Sequence, residues 1–304
     1  MASFASRLVD AVRSKGNPVC VGLDPRLGSL PEACLESSQD LEAQARAYAK
    51  FCCQIIDVVA PMVPIVKPQA AFFEQLGPHG MVALGQVLNH ARAQGVMTIL
   101  DGKRNDIGST AIAYAEGWLG GSSAWGADSL TVSPYLGSDS LEPFSETAIQ
   151  RDCGIFVLVK TSNPGGGYLQ DVTLPEPEKH VYGRVARWVE EQSQNSSDNS
   201  GFGPVGAVVG ATYPAQLKAM REAMPHVWLL VPGYGAQGGG AADVAGGFNE
   251  LGLGGLINSS RGIIFAHQNE DYAEVTRSDG WQGAVAEATR RMINDLHGVG
   301  IRPN

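Results

Sequence analysis

A closed (β/α)8 (TIM) barrel is the α/β fold class that this sequence predicts, and two regularities carry the prediction. Eight short apolar runs recur along the 304 residues, each ending in Gly, Pro, Ser or a charge. Helical periodicity separates most of them, and strands that read as continuous Val/Ile/Leu runs fit a parallel sheet covered on both faces. In chain order the predicted strands are 18–24, 64–67, 96–101, 128–133, 155–161, 205–210, 227–232 and 255–259. The predicted helices are 41–60, 81–94, 182–192, 213–224, 241–251 and 281–296. The first two repeat apolar residues at three- and four-residue spacing, as a helix lying on a sheet requires. Eight β/α units match the usual size of the barrel. An open doubly wound sheet would place a glycine-rich turn after its first strand, whereas this first strand ends in Leu-Asp-Pro-Arg at 23–26. The chain is therefore predicted to be one barrel domain spanning 1–304, with an extended insertion around 163–204. Within that stretch the polar run 193–200 reads as a mobile surface excursion.

Composition narrows the function. A hydrophobic content of 44% with 17% charged residues describes an ordinary globular protein with a large core. The formal net charge of −9 argues against general nucleic-acid binding, which needs clustered Lys and Arg, but leaves room for a small anion in one local positive pocket. The five cysteines, odd in number and without a CxxC pair, are expected to be reduced and mostly buried. The start, MASFASRLVDAVRSKG, lacks a signal-peptide apolar region, and no run reaches ~18 apolar residues. No membrane association and a cytoplasmic location are the expectation.

In such a barrel the chemistry gathers at the C-terminal strand ends. Asp24, Lys67, Asp101 with Lys103, Ser162 with Asn163, Gly233–Gln237 and Arg261 all fall there. The densest signal is Asp101-x-Lys103-x-x-Asp106. Residues two apart on a strand share a face, so Asp101 and Lys103 are expected to point together from the rim of a core. Such charges are costly unless another charge or a ligand completes them. The last two strand ends read as an anion site. Gly233, Gly235 and Gly262 offer backbone N–H groups, Gln237 an amide, and Arg261 a guanidinium suited to phosphate. The six histidines show no HExxH or close pairing, and no GxSxG elbow or P-loop is present, so no metal site is expected. A charged cluster facing a phosphate site points to a phosphorylated small molecule. From the residues alone a phosphosugar lyase or aldolase and a non-catalytic nucleotide-binding barrel both stay open.

The same residues resemble a known family. Asp-x-Lys-x-x-Asp-Ile at 101–107, VKPQAAFFE, KTSNPGG, PGYGAQGG and the final SSRG are together similar to the orotidine 5′-phosphate decarboxylases, in their longer branch. The resemblance runs from VGLDPR to NSSRGI. It implies a cofactor-free homodimer with shared active sites, converting orotidine 5′-monophosphate to UMP and carbon dioxide in pyrimidine synthesis. It also implies a charged tetrad of Lys67, Asp101, Lys103 and Asp106, the last reaching the neighbouring subunit's site. By the same resemblance Asp24 and Lys67 contact ribose, Thr110 contacts ribose across the dimer, Ser162 contacts the pyrimidine, and Gln237 and Arg261 hold the phosphate. One departure is Gly108-Ser109-Thr110, where the shorter family form has Pro-Asn-Thr.

Overall fold

In the computed structural model, which describes residues 2–38, 40–235 and 239–304, eight parallel strands close on one another in chain order, β1 pairing with both β2 and β8. They are β1 (Val19–Leu23), β2 (Ile65–Pro68), β3 (Met97–Arg104), β4 (Ser129–Val132), β5 (Gly154–Lys160), β6 (Val205–Val209), β7 (Leu229–Val231) and β8 (Gly255–Ser259). The predicted barrel is thus the observed one. The helices are α1 (Phe4–Lys15), α2 (Leu41–Val59), α3 (Ala70–Glu74), α4 (Gly77–Ala93), α5 (Gly108–Trp118) and α6 (Ser138–Gln150), followed by α7 (Gly167–Gln170), α8 (Val181–Asn195), α9 (Pro214–Ala223), α10 (Ala241–Val244), α11 (Arg261–Ile264) and α12 (Ala273–Gly298).

Two apolar layers hold these elements. The larger lies between the outer strand faces and the surrounding helices, where Phe51, Ile55, Leu84, Val87, Phe144 and Leu217 are fully buried. The smaller fills the barrel itself with Cys20, Ile65, Ile99, Phe156, Trp228 and Leu256, and α1 seals its N-terminal end with Phe4, Leu8, Val9 and Val12. Each large apolar side chain buried this way contributes roughly 1.5–3 kcal/mol. The Phe4 ring meets Phe156 edge-on with centroids 6.2 Å apart. Gly154 makes that approach possible, because a Cβ there would lie 2.4 Å from the Phe4 ring. Ser3 caps α1 by accepting from the Ser6 N–H at 3.1 Å, and Gly16 ends it in the left-handed region at φ 66°.

Several boundaries differ from those predicted. Helices α1, α5 and α6 fall outside the predicted set. Pro143 sits inside α6, and α5 buries only Ala111, Ala115 and Trp118, so a helix breaker obscures the first and small buried residues the second. The predicted helix 241–251 ends at Val244 and tightens into a 3-10 turn over Ala245–Gly247 before extended Phe248. The helix predicted at 281–296 begins earlier, with Gly280 (φ 73°) marking a kink. The polar run 193–200 is tied down. Ser193 is buried and donates to the His226 carbonyl at 2.8 Å, while Asp198 accepts from Ser6 at 2.7 Å and from Ser3. The serine donors hold the Asp198 carboxyl down at about 2 against the opposing effect of its burial. Among the described residues no helix is long and apolar enough to cross a membrane.

Candidate active site

The C-terminal mouth of the barrel carries a charged trio built on β2 and β3. Lys67, near the end of β2, points its ammonium at Asp101 Oδ2 at 2.7 Å. Lys103 reaches Asp101 Oδ1 at 2.6 Å. Thr131 from β4 donates to the same Oδ1 at 2.9 Å, and the Gln69 amide donates to Oδ2 at 3.0 Å. Four donors therefore hold one carboxylate, which fixes its orientation as well as its charge. Thr131 and Gln69 escaped the sequence reading. The available signals were a hydroxyl between the apolar Leu130 and Val132, and an amide two positions beyond Lys67.

Asp101 and Lys103 come together by a route other than simple alternation. Strand β3 continues past Asp101 to Arg104, its register against β4 shifts between Leu100 and Arg104, and Lys103 adopts φ 45°. A side chain in this left-handed region is strained. The Lys103 N–H donates to Thr131 Oγ1 at 2.9 Å, which helps hold the irregular turn.

Burial and charge oppose each other in the pair below. The side chains of Lys67 and Asp101 are 6% and 9% exposed. Burial alone would raise the Asp101 pKa, but Lys67 and then Lys103 outweigh it and hold the carboxyl well below the usual range. Burial alone would lower the Lys67 pKa, but the Asp101 and Asp24 carboxylates outweigh it and hold the ammonium above the usual lysine range. Both groups stay charged at neutral pH. Beneath them the Cys20 thiol, pushed up to about 12 chiefly by burial, stays neutral.

A cavity of about 500 Å3 opens above the trio. Lys67, Asp101, Lys103 and Thr131 line its charged side, and Leu158, Val208, Leu230 and Pro232 form an apolar wall from β5 to the end of β7. The segment after β5 closes over it with Ser162 and its neighbours. Asp24 lies just beyond β1, and its Oδ1 is buried without a hydrogen-bond partner among the described residues. An unpaired buried acceptor of this kind is suited to a ligand hydroxyl.

Other predicted residues stand apart from the trio. Asp106 makes no bond to it among the described residues, and its Oδ1 accepts from the Ile107 N–H at 2.8 Å. Thr110 is exposed in the first turn of α5, which begins at Gly108 with φ 52°. Exposed Arg261 opens α11 and shares a depression of about 410 Å3 with Gly262 and Arg26, outside the wall of the central cavity. Gly233 and Gly235 both have positive φ, at 103° and 72°, the backbone freedom a tight anion loop needs. Gln237 lies outside the described residues. No three His, Cys, Asp or Glu side chains among the described residues are grouped to hold a metal ion.

Comparison with known proteins gives this arrangement its relatives. The sequence matches the orotidine 5′-phosphate decarboxylase / HUMPS family over residues 17–289. The chain belongs to this family. A Rhodopirellula baltica orotidine 5′-phosphate decarboxylase is 55% identical over 304 aligned residues, covering 98% of this chain and 100% of the relative. A Deinococcus radiodurans orotidine 5′-phosphate decarboxylase is 39% identical over 98% of each chain. Among solved structures, Leishmania donovani OMP decarboxylase superposes with a TM-score of 0.75 at 32% identity, covering 98% of both chains. The family name covers two descriptions, and these near-full-length relatives all carry the decarboxylase one. Membership in the decarboxylase family agrees with the trio at the mouth of the barrel.

Proposed function

We infer that the chain catalyses decarboxylation of orotidine 5′-monophosphate to UMP and carbon dioxide, the carboxy-lyase step of pyrimidine biosynthesis. The observation that carries this reading is the Lys67–Asp101–Lys103 trio on the wall of a cavity whose other wall is apolar. A pyrimidine ring fits the apolar wall, and its carboxylate is then directed at the charged one.

Loss of carbon dioxide from C6 leaves a carbanion in the ring plane, where π-delocalisation helps little. Stabilisation must come from fixed charge. In this reading the Lys103 ammonium lies beside the developing charge and delivers the proton to C6. Asp101, held by four donors, cannot turn away from the substrate carboxylate. At ~4 Å and an effective dielectric of ~20 that repulsion is about 4 kcal/mol, or roughly three decades of rate as an upper bound. The same charge keeps Lys103 paired before substrate arrives.

The remaining roles are those the family resemblance implies. Asp24 and Lys67 hold ribose hydroxyls, with the unpartnered Asp24 oxygen as support, and Ser162 contacts the pyrimidine. Arg261 and Gln237 hold the phosphate, with the backbone at Gly233, Gly235 and Gly262. Binding energy from the phosphate end then orders the charged end.

Lys67 has the carboxylates of Asp101 and Asp24 acting on it, whereas Lys103 is paired with Asp101 alone among the described residues, so a further acid beside Lys103 would complete the cluster. Asp106 fills that place from a second copy of the chain, and Thr110 reaches ribose from the same side. Exposed Ile107 (58%), Ile112 (45%), Tyr135 (73%) and Leu136 (45%) lie on the segments after β3 and β4, and a homodimer interface there would cover them. The unpaired thiols of all five cysteines fit a reducing compartment, and the cytoplasm is where this enzyme is placed.

The test is a decarboxylation assay on protein stripped with a strong chelator. Formation of UMP from orotidine 5′-monophosphate at an undiminished rate is expected. Activity abolished by chelation and restored only by magnesium would overturn the mechanism. Borohydride trapping of a substrate on Lys67 or Lys103 would instead favour aldolase chemistry.

A further inference from the structure

Lys160 is a buried ammonium that the mechanism does not use. It ends β5, its side chain is 5% exposed, and it is absent from the cavity wall among the described residues. Burying an ammonium is costly unless it is paired. Its partner is Asp171, at 2.5 Å from Nζ to Oδ1. Two rings flank it, with their centroids 5.6 Å (Tyr182) and 5.9 Å (Tyr213) from Nζ, so aromatic faces replace much of the lost water.

The placement of this pair explains its presence. Lys160 and Asp171 bracket the segment Thr161–Gln170, which forms one side of the cavity. A second tie lies just inside the first. The Thr161 N–H donates to Gln170 Oε1 at 3.0 Å, and Gln170 Nε2 donates back to Thr161 Oγ1 at 2.8 Å. Gly166 packs across this base, where an added Cβ would lie 3.0 Å from Thr161 Oγ1 and 3.2 Å from Gln170 Oε1. The tip is different: Asn163, Pro164 and Gly165 are exposed, and Tyr168 is 92% exposed although it lines the cavity. The result is a compact loop, tied at its ends and exposed at its middle, where Asn163 Oδ1 accepts from Thr161 Oγ1 at 2.6 Å.

We propose that Lys160 is a positioning residue: by pairing with Asp171 it ties the two ends of the Thr161–Gln170 strap together and so holds Ser162 over the cavity. The kinetic consequence rests on the decarboxylase reading, while the tie itself does not. An apolar residue at 160 would fill the space but could not anchor a half-exposed carboxylate. Without the anchor, fewer molecules hold the strap in its binding geometry, and apparent affinity falls by that fraction. Saturating substrate re-forms the geometry, so turnover is largely kept.

The experiment compares Lys160→Met, Asp171→Asn and the double variant in the full-length protein. Asp171→Asn removes the anchor from its half-exposed side (44% exposed) but leaves buried Lys160 without a counter-charge, so it is read beside Lys160→Met, which removes that charge. Expected for each is a rise of about tenfold in KM for orotidine 5′-monophosphate and in Kd for UMP, with kcat within about twofold. The double variant should match the single ones, since both remove one interaction. Ribose 5-phosphate, which lacks the base that Ser162 would touch, should bind all three as it binds the wild type. A merely structural role would lower the melting temperature and the active fraction while leaving KM alone. A KM and a UMP Kd within about twofold of wild type in both single variants would overturn the proposal. Amide exchange at Thr161 supplies a readout that needs no ligand: faster exchange in both variants is expected, and unchanged exchange sinks the tie. If the wild type does not decarboxylate orotidine 5′-monophosphate, the functional reading fails and the exchange result still decides the strap.

Discussion

Lys103 is held at φ 45°, a conformation that costs an L-residue of order 1–3 kcal/mol. The fold bears that cost where the ammonium is placed against Asp101. Two replacements separate the cost from the chemistry. Lys103→Ala and Lys103→Gly should both abolish turnover while keeping UMP binding, but the glycine variant should be more stable by about 1 kcal/mol in denaturant melts. Equal stabilities would show that the backbone there is relaxed, and normal turnover in either would remove the proton donor. Asp101 sets the second residue-level expectation. Asp101→Asn leaves Lys67, 6% exposed at its side chain, without a counter-charge, and should cost about 3 kcal/mol and roughly 5–10 °C in Tm. Since the Asp101 pKa is depressed in the fold, its contribution is present above the unfolded value near ~3.9 and is lost as pH falls through the folded one. The Lys67 pKa is raised, so its contribution is full below ~10.4 and is lost as pH rises through the folded value. The stability gap between wild type and Asp101→Asn should therefore stay flat from about pH 5 to pH 9 and shrink below about pH 4. A gap that shrinks already at pH 6 would contradict the depressed carboxyl. These charges were legible in the sequence because acids and bases at the ends of apolar strands demand an explanation. Thr131 and Gln69 were less so, since a lone hydroxyl or amide satisfies itself in many places.

At the scale of elements, α1 closes the barrel end opposite the site, with Phe4 packed on Phe156 and pressed over Gly154. Phe4→Ala should destabilise the protein by about 3–5 kcal/mol through the cavity it leaves, with KM unchanged in the folded fraction. A shift in KM would mean that the plug and the mouth are coupled. All eight strands were read at nearly their observed positions, because a strand buried on both faces writes a continuous apolar run. Helices α2 and α4 were read from their apolar faces, whereas α1 was missed although Phe4, Leu8, Val9 and Val12 form such a face, and α6 was missed where Pro143 interrupts the run. Helix α5 exposes Ile112 and Tyr114 while burying Ala111, Ala115 and Trp118, an outer face that the proposed second copy would cover. The stretch 193–200 misled in the opposite direction. Its composition reads as mobile, yet Asp198 gathers two serines from the first turn of the chain, a long-range contact that local composition cannot encode.

For the whole molecule, Asp106 stands apart from the trio within one chain, and the proposed dimer would give it a task. Mixing equal amounts of Asp106→Ala and Lys103→Ala chains, dissociated and reassociated together, tests this. Half of the random pairs would combine the two lesions, and each such pair holds one intact site and one doubly damaged site. Recovery of about a quarter of wild-type activity is therefore expected, and none at all would confine each site to a single chain. No pattern within one sequence marks a residue as belonging to a neighbour's site, which is why only the family resemblance assigned Asp106 that role. The division of labour around the cavity has its own consequence. Its charged wall comes from β2, β3 and β4, and its apolar wall from the far strands through Leu158, Val208 and Leu230. Substitutions that reshape the apolar wall would change which heterocycle is admitted while the reactive charges stay where they are. On the proposed reading the barrel keeps its choice of base and its reactive charges on separate strands, so that selection or design could retune one while inheriting the other intact.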